Sequence, residues 1–304
     1  MIALDLGSNS LRILVYDCQA KKKIVGYERV VKTADGLAQH GIISSQALER
    51  IIATLKDFQS KIDFSSHQIQ AVTTQAIRQA SNGKAILEAI KRETRIDFEI
   101  ISGTKEAELT RKAVQNRLQL LSYPCDDFVL IDIGGASTEL IFVYEDEVFS
   151  QSFALGIVTI AQSYQNLDAI EKALPSQMQE MKAFCQKVYA QKSKPKTFVA
   201  TAGTPTTVAS MKQGLCYHAY DANKINGTSL SHEELRFYLA KLLTMPFEER
   251  EKTVGTGRSD LISAGILIYQ ALYTLLGFEQ CIIIDDGLRE GVALEACEDF
   301  AISL

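Results

Sequence analysis

The chain has 304 residues, enough for two domains with filled cores. Hydrophobic residues make up 46% and charged residues 23%, and the formal net charge is −5, so no global basic field draws the chain to nucleic acid or an anionic membrane. A polyanionic ligand would have to be met by a local pocket. In chain order, an apolar strand ends at Asp5 and a second runs through Ile13-Leu14-Val15; Lys23 to Lys32 reads as a third. Asp35-Gly36 and His40-Gly41 break the chain, and Ser45 precedes a helix whose apolar positions Leu48, Ile51, Ile52, Leu55 and Phe58 fall at helical spacing. Ile69 to Thr73 is a short buried strand feeding a helix that carries Arg78. Such strand ends are the usual ligand edge of α/β sheets, so Arg78 is weighed there as a phosphate-binding cation against an ordinary surface charge.

Phe98 to Ile101 is the next strand, and Ser102-Gly103-Thr104 opens a helix bearing Glu106 and Glu108 in its first turns. Acids there complement the helix dipole, which is the common reason for finding them. Position at the ligand edge singles out Glu106. The break at Leu121-Ser122-Tyr123-Pro124 sets a domain boundary, giving 1–121 and 122–304, with the last helix free to pack back on the first domain. Strands follow at Phe128–Ile133, Thr138–Tyr144, Val148–Phe153, Lys196–Thr201 and Gln280–Ile284. Leu155 to Thr159 ends one strand and opens a helix. Thr201 runs into Ala202-Gly203-Thr204-Pro205-Thr206-Thr207, whose small hydroxyl residues are expected to face a ligand, with an ordinary proline-started helix as the alternative. Ser231 and Glu234 form a capping box.

The stretch Asp132-Ile-Gly134-Gly135-Ala136-Ser137-Thr-Glu139 repeats the opening Asp5-Leu-Gly7-Ser8-Asn9-Ser10, each between two apolar strands. A glycine turn lets a ligand approach the backbone, and its N–H groups can nest phosphate oxygens. An Asp just before such a turn makes sense when a hydrated cation sits between carboxylate and phosphate. The alternative is a plain hairpin with a capping Asp. Repetition predicts two halves of similar build, whose two turns would clamp a phosphate chain in a cleft between domains. The six cysteines (Cys18, Cys125, Cys185, Cys216, Cys281, Cys297) contain no C-x-x-C pair and are expected to be buried thiols of a reducing, cytoplasmic compartment. The N-terminus does not read as a signal peptide, and the apolar helix near Ile262 to Leu276 is short for a membrane span. None of the four histidines lies in the candidate loops, which weighs against His-based nucleophilic chemistry.

Six ordered segments, beginning at Asp5, Thr74, Ile101, Asp132, Ala202 and Asp286, together resemble the exopolyphosphatase and guanosine pentaphosphate phosphohydrolase (Ppx/GppA) family over nearly the whole chain. The resemblance implies an α/β fold of two actin-like ATPase (ribonuclease H-like) domains, with Mg²⁺ or Mn²⁺ in the cleft. It implies release of terminal phosphate from polyphosphate or of the 5′ phosphate from pppGpp. By the same resemblance Glu106 is the general base. Asp132 and Glu139 are further catalytic acids, and Asp5, Asp132 and Glu139 are metal neighbours. Gly7, Ser8, Asn9 and Ser10 are the first phosphate loop, and Gly134, Gly135, Ala136 and Ser137 the second. Arg78 and Asn82 line the phosphate channel.

Two departures from the family pattern stand out. Lys105 replaces the first of two adjacent acids, and Ala136 replaces a third glycine, which matters only if φ is positive there. Longer relatives carry an extra C-terminal helical domain, so this chain is expected to favour short polyphosphates, with Arg78, Lys105, Arg258 and Arg289 as its candidate track. A homodimer is allowed. The rival expectations are a catalytically weak (p)ppGpp-binding sensor and a sugar-kinase-like phosphotransferase of the same superfold.

Overall fold

A computed structural model describes residues 1–302 except 165 and 260. Contacts divide the chain into two compact units, Met1–Ala113 with Leu288–Leu304, and Val114–Gly287. The first unit holds β1 (Ile2–Leu6), β2 (Ser10–Asp17), β3 (Lys22–Val30), α1 (Leu37–His40), α2 (Ser45–Lys61), β4 (Ile69–Thr73), α3 (Gln75–Gln79), α4 (Gly83–Thr94), β5 (Glu99–Ile100) and most of α5 (Gly103–Leu120). The second holds β6 (Phe128–Ile133), β7 (Thr138–Val143), β8 (Val148–Phe153), α6 (Ile157–Ser163), α7 (Leu167–Gln177), α8 (Gln179–Tyr189), β9 (Thr197–Thr201), α9 (Gly203–Lys212), α10 (Ala222–Ile225), β10 (Thr228–Ser231), α11 (His232–Thr244), α12 (Phe247–Val254), α13 (Ile262–Leu276) and β11 (Gln280–Ile283). The last helix, α14 (Leu288–Ile302), belongs to the first unit.

The first sheet runs β3-β2-β1-β4-β5 and the second β10-β11-β9-β6-β7-β8. In each unit the first three strands form an antiparallel meander, and the fourth pairs parallel to the first. This shared order is the ribonuclease H-like arrangement. The antiparallel β10 adds an edge to the second sheet. Central strands β1 and β6 are apolar and almost wholly buried, as strands covered on both faces must be. Strand β3 alternates exposed and half-buried residues, as an edge strand does.

In the first unit, Ala3, Leu14, Val72 and Leu109 pack with Leu288, Val292 and Ala293 of α14. In the second, one sheet face (Val129, Ile131, Ile133, Leu140, Phe142) meets apolar residues of α6, α7, α8, α9 and α13. Capping differs from expectation at one helix and agrees at another. Ser44, not Ser45, caps α2, accepting from Ala47 N at 3.2 Å. Ser231 and Glu234 make the reciprocal box at α11. Helix α13 spans the expected residues, and among the described residues no helix is long and apolar enough to cross a membrane.

The cysteine expectation is corrected. Cys18, after β2, and Cys297, on α14, form a disulfide with Cα atoms 5.3 Å apart. Both flank the core beneath α14, where folding brings together residues that spacing in the chain could not pair. Cys125, Cys185, Cys216 and Cys281 are free; only Cys185 and Cys281 are buried. Burial pushes the Cys185 thiol up to about 11.

Candidate active site

The two glycine turns close in the same way. Gly7 N donates to Ser10 O at 3.0 Å, and Gly134 N to Ser137 O at 2.9 Å. Around them, the N–H groups of Ser8 and Asn9, and of Gly135 and Ala136, meet no acceptor among the described residues. Such N–H groups form the concavity that anions fill. The space is tight, since a Cβ on Gly134 would lie 3.1 Å from Ser137 O. Ala136 does not have positive φ, so alanine is unstrained where the family pattern leads to the expectation of a third glycine.

Strand register decides what stands beside each turn. Asp132 on β6 lies directly opposite Glu139 on β7, so both side chains share one face of the sheet. The row continues to Ser152 on β8 and to Thr201 on β9. Glu139 is 1% exposed and accepts from Ser152 Oγ at 2.7 Å. In the first unit Asp5 is opposite Arg12, and Arg12 opposite Glu28. Arg12 Nη1 is 3.9 Å from Asp5 Oδ2, and its Nε is 3.5 Å from Glu28 Oε1. Like charges placed opposite one another repel, so the second row favours a cation and the first already contains one.

Glu106 is buried in the first turns of α5, its N–H bonded to Ser102 O at 2.9 Å. Arg78 Nη1 lies 4.0 Å from Glu106 Oε2 and donates to Ile101 O, while Nη2 donates to Gln75 Oε1. Arg78 and Glu106 are thus brought together within the first unit. Asn82 is held differently: its amide grips the Ile43 backbone on both sides, at 2.9 Å each. Lys105 is bonded to Glu295 at 2.6 Å and lies 3.4 Å from Glu108, and the Glu295 bond raises its pKa above the ordinary lysine value. Arg289 is bound to Glu290 at 2.7 Å, and Arg258 sits 5.4 Å from the Tyr217 ring centre.

Among the described residues, no group of three or more His, Cys, Asp and Glu side chains converges on a metal position. Two opposed carboxylates still fit Mg²⁺, which is commonly held by one or two acids with water and substrate phosphates completing its shell. The Ala202–Thr207 segment turns inward: Thr204 is buried and would meet a Cβ on Gly265, and Thr206 Oγ1 donates to Ala202 O at 2.8 Å. Ala202 itself has φ 73°, unusual for a non-glycine residue and confined to the strand-to-helix turn.

Ser152, Thr201 and Arg12 stand in these rows without having been singled out by sequence. The hairpin turn lengths would have revealed Arg12 and Ser152, because they fix antiparallel register. Nothing local in the chain announces Thr201. A bidentate pair was missed as well: Arg117 Nε and Nη2 donate to Asp286 at 2.6 and 3.2 Å within the second unit.

The two sheets define an α/β protein of the ribonuclease H-like type. Residues 14–300 match the Ppx/GppA phosphatase family, and the chain belongs to that family. Exopolyphosphatase 2 of Mycobacterium tuberculosis is 25% identical, covering 96% of this chain and 97% of its own. A guanosine-5′-triphosphate,3′-diphosphate pyrophosphatase of Vibrio parahaemolyticus is 27% identical, over 98% of this chain and 59% of its own. The crystal structure of the Aquifex aeolicus Ppx/GppA family member is 27% identical, with a TM-score of 0.73 over 98% of this chain and 97% of that one.

Proposed function

We propose that this chain is a magnesium-dependent phosphohydrolase. It releases the terminal phosphate of inorganic polyphosphate, short chains favoured, and/or the 5′ phosphate of guanosine pentaphosphate, through water activated by Glu106. The carrying observation is the Asp132–Glu139 pair, two acids opposed on one sheet face directly beside a turn with N–H groups that meet no described acceptor. Asp132 and Glu139 would hold Mg²⁺, or Mn²⁺ in its place, and the ion would supply charge neutralisation for the substrate phosphates.

Each remaining role belongs to a residue of the chain. The Glu106 carboxylate takes a proton from water as the water oxygen bonds to the terminal phosphorus. The bridging P–O bond then breaks and the shortened chain leaves with the bond's electron pair. Arg78 and the N–H groups of Ser8, Asn9, Gly135 and Ala136 stabilise negative charge on the phosphoryl oxygens, as phosphoryl transfer requires. Gly7, Gly134, Ser10 and Ser137 shape the turns, and Asn82 acts through the Ile43 loop it grips. Asp5, facing Arg12, would be a further neighbour of the metal. Short substrates are favoured because Lys105 is neutralised by Glu295, which shortens the positive track. The cytoplasm is the proposed compartment.

The test is phosphate release by purified protein from polyphosphate and from guanosine pentaphosphate in parallel, each with Mg²⁺ and with chelator. Metal-dependent release from at least one is expected. Binding of guanosine tetraphosphate without release from either would instead make the chain a sensor.

A further inference from the structure

The carbonyl groups of both glycine turns are taken by the segment that follows the third strand of the same unit. In the first unit, Ala34 N donates to Ser8 O at 2.8 Å, and Val31 N and Lys32 N donate to Asn9 O at 2.9 Å each. In the second, Ile157 N donates to Gly134 O at 3.0 Å, Val158 N to Gly135 O at 2.7 Å and Thr159 N to Gly135 O at 3.2 Å. A trans peptide unit points its N–H opposite to its C=O. Fixing the carbonyls of Gly134 and Gly135 therefore fixes the directions of the Gly135 and Ala136 N–H groups, aimed away from the corner.

Contact at this corner is close enough to need glycine. A Cβ on Gly156 would overlap the Gly135–Ala136 peptide unit at Gly135 C and at Ala136 N and Cα. Gly156 N is itself held by Thr159 Oγ1 at 3.2 Å. Four residues earlier, Ser152 donates its hydroxyl to Glu139. One short run of chain thus touches both functional parts of the β6–β7 hairpin, its turn and its buried carboxylate.

We propose that Ser152–Thr159 is the positioning element of the second phosphate turn. Ser152 orients the Glu139 carboxylate, and Gly156 lets the Ile157–Thr159 N–H groups hold the turn so that its own N–H groups face phosphate. It rests on the reading of that turn as a phosphate site. Neither Ser152 nor Gly156 touches substrate; both act through the groups they hold.

The experiment compares Ser152→Ala, Ser152→Thr and Gly156→Ala in the whole chain, with short polyphosphate and Mg²⁺, reading kcat, KM and thermal unfolding. Ser152→Ala should lower kcat by roughly 10- to 100-fold with little change in KM or melting temperature, the usual cost of removing a bond that orients a functional carboxylate. Ser152→Thr keeps the hydroxyl and should restore most of that loss, a rescue that a packing role would not give. Folded Gly156→Ala should lose about 100-fold in kcat/KM, chiefly through KM, because the turn is displaced. Should it fail to fold, the Ser152 pair decides. Wild-type kcat/KM in Ser152→Ala or in folded Gly156→Ala overturns the proposal, as does a Ser152→Thr no better than Ser152→Ala. Gly134→Val separates the two levels: full activity there sinks the phosphate-turn reading itself, whereas its loss with unchanged corner variants sinks only the positioning role.

Discussion

The β1–β2 and β6–β7 hairpins share a backbone and differ in charge. Both close their turn through the same glycine-to-serine bond, at 3.0 and 2.9 Å, and both surrender turn carbonyls to the segment after the third strand. Across the sheet, however, Asp5 faces Arg12, whereas Asp132 faces Glu139. The first hairpin carries its counter-charge within the strand pair; the second sets two acids side by side with Ser152 and Thr201 as the outer neighbours of the row. Backbone geometry is the part the two hairpins share, since the same N–H and C=O groups close both turns. Side chains across the strands then decide whether a hairpin carries a cation within the strand pair, as Arg12 does, or two opposed acids.

That contrast can be broken or sharpened by experiment. The largest effect is expected at Glu106, in the unit whose hairpin is charge-matched. Glu106→Gln should lower kcat by roughly 10²- to 10⁴-fold while leaving KM and the Mg²⁺ requirement nearly unchanged, as for loss of a general base. Glu108→Gln is the control on the same helix, and equal losses in both would move the base elsewhere.

Next comes the covalent difference between the units: the Cys18–Cys297 bond lies in the first, and the four free cysteines in the second. Reduction, or Cys297→Ser, should cost about 2–4 kcal/mol. Hydrogen exchange should place the loss in β2 and α14 and spare β6 and β7. Uniform destabilisation of both units would show that they do not unfold separately.

A smaller effect distinguishes the two aspartates. Asp132→Asn should raise the Mg²⁺ concentration needed for half-maximal activity about 10- to 100-fold. Asp5→Asn should raise it less, because Arg12 already faces Asp5. A Mg²⁺ titration of both variants checks this, and equal shifts would erase the distinction between the hairpins. Smallest of all, Ser231→Ala should cost about 1 kcal/mol by removing one side of the α11 capping box, and a chemical melt would measure it.

The ranges of most strands, the helix α13, the α11 cap and the repeated turns were legible in the chain itself. They depend on hydrophobic period, glycine and capping residues, all of which act within a few positions. Even the Asp132–Glu139 pairing was within reach, since a four-residue turn closing an antiparallel pair fixes which residues face each other. Other features depended on segments that only packing brings together. The Cys18–Cys297 bond joins residues 279 positions apart. Thr201 reaches Asp132 through a parallel pairing whose register no turn dictates. Asn82 grips Ile43, and Arg78 bends to Ile101 O, because neighbouring elements present those carbonyls. Lys105, free to read as a ligand cation by its place at a helix start, is neutralised by Glu295 from the far end of the chain. Local chemistry sets the elements and turns; the partners of a charged side chain are set by whichever distant backbone the core draws against it.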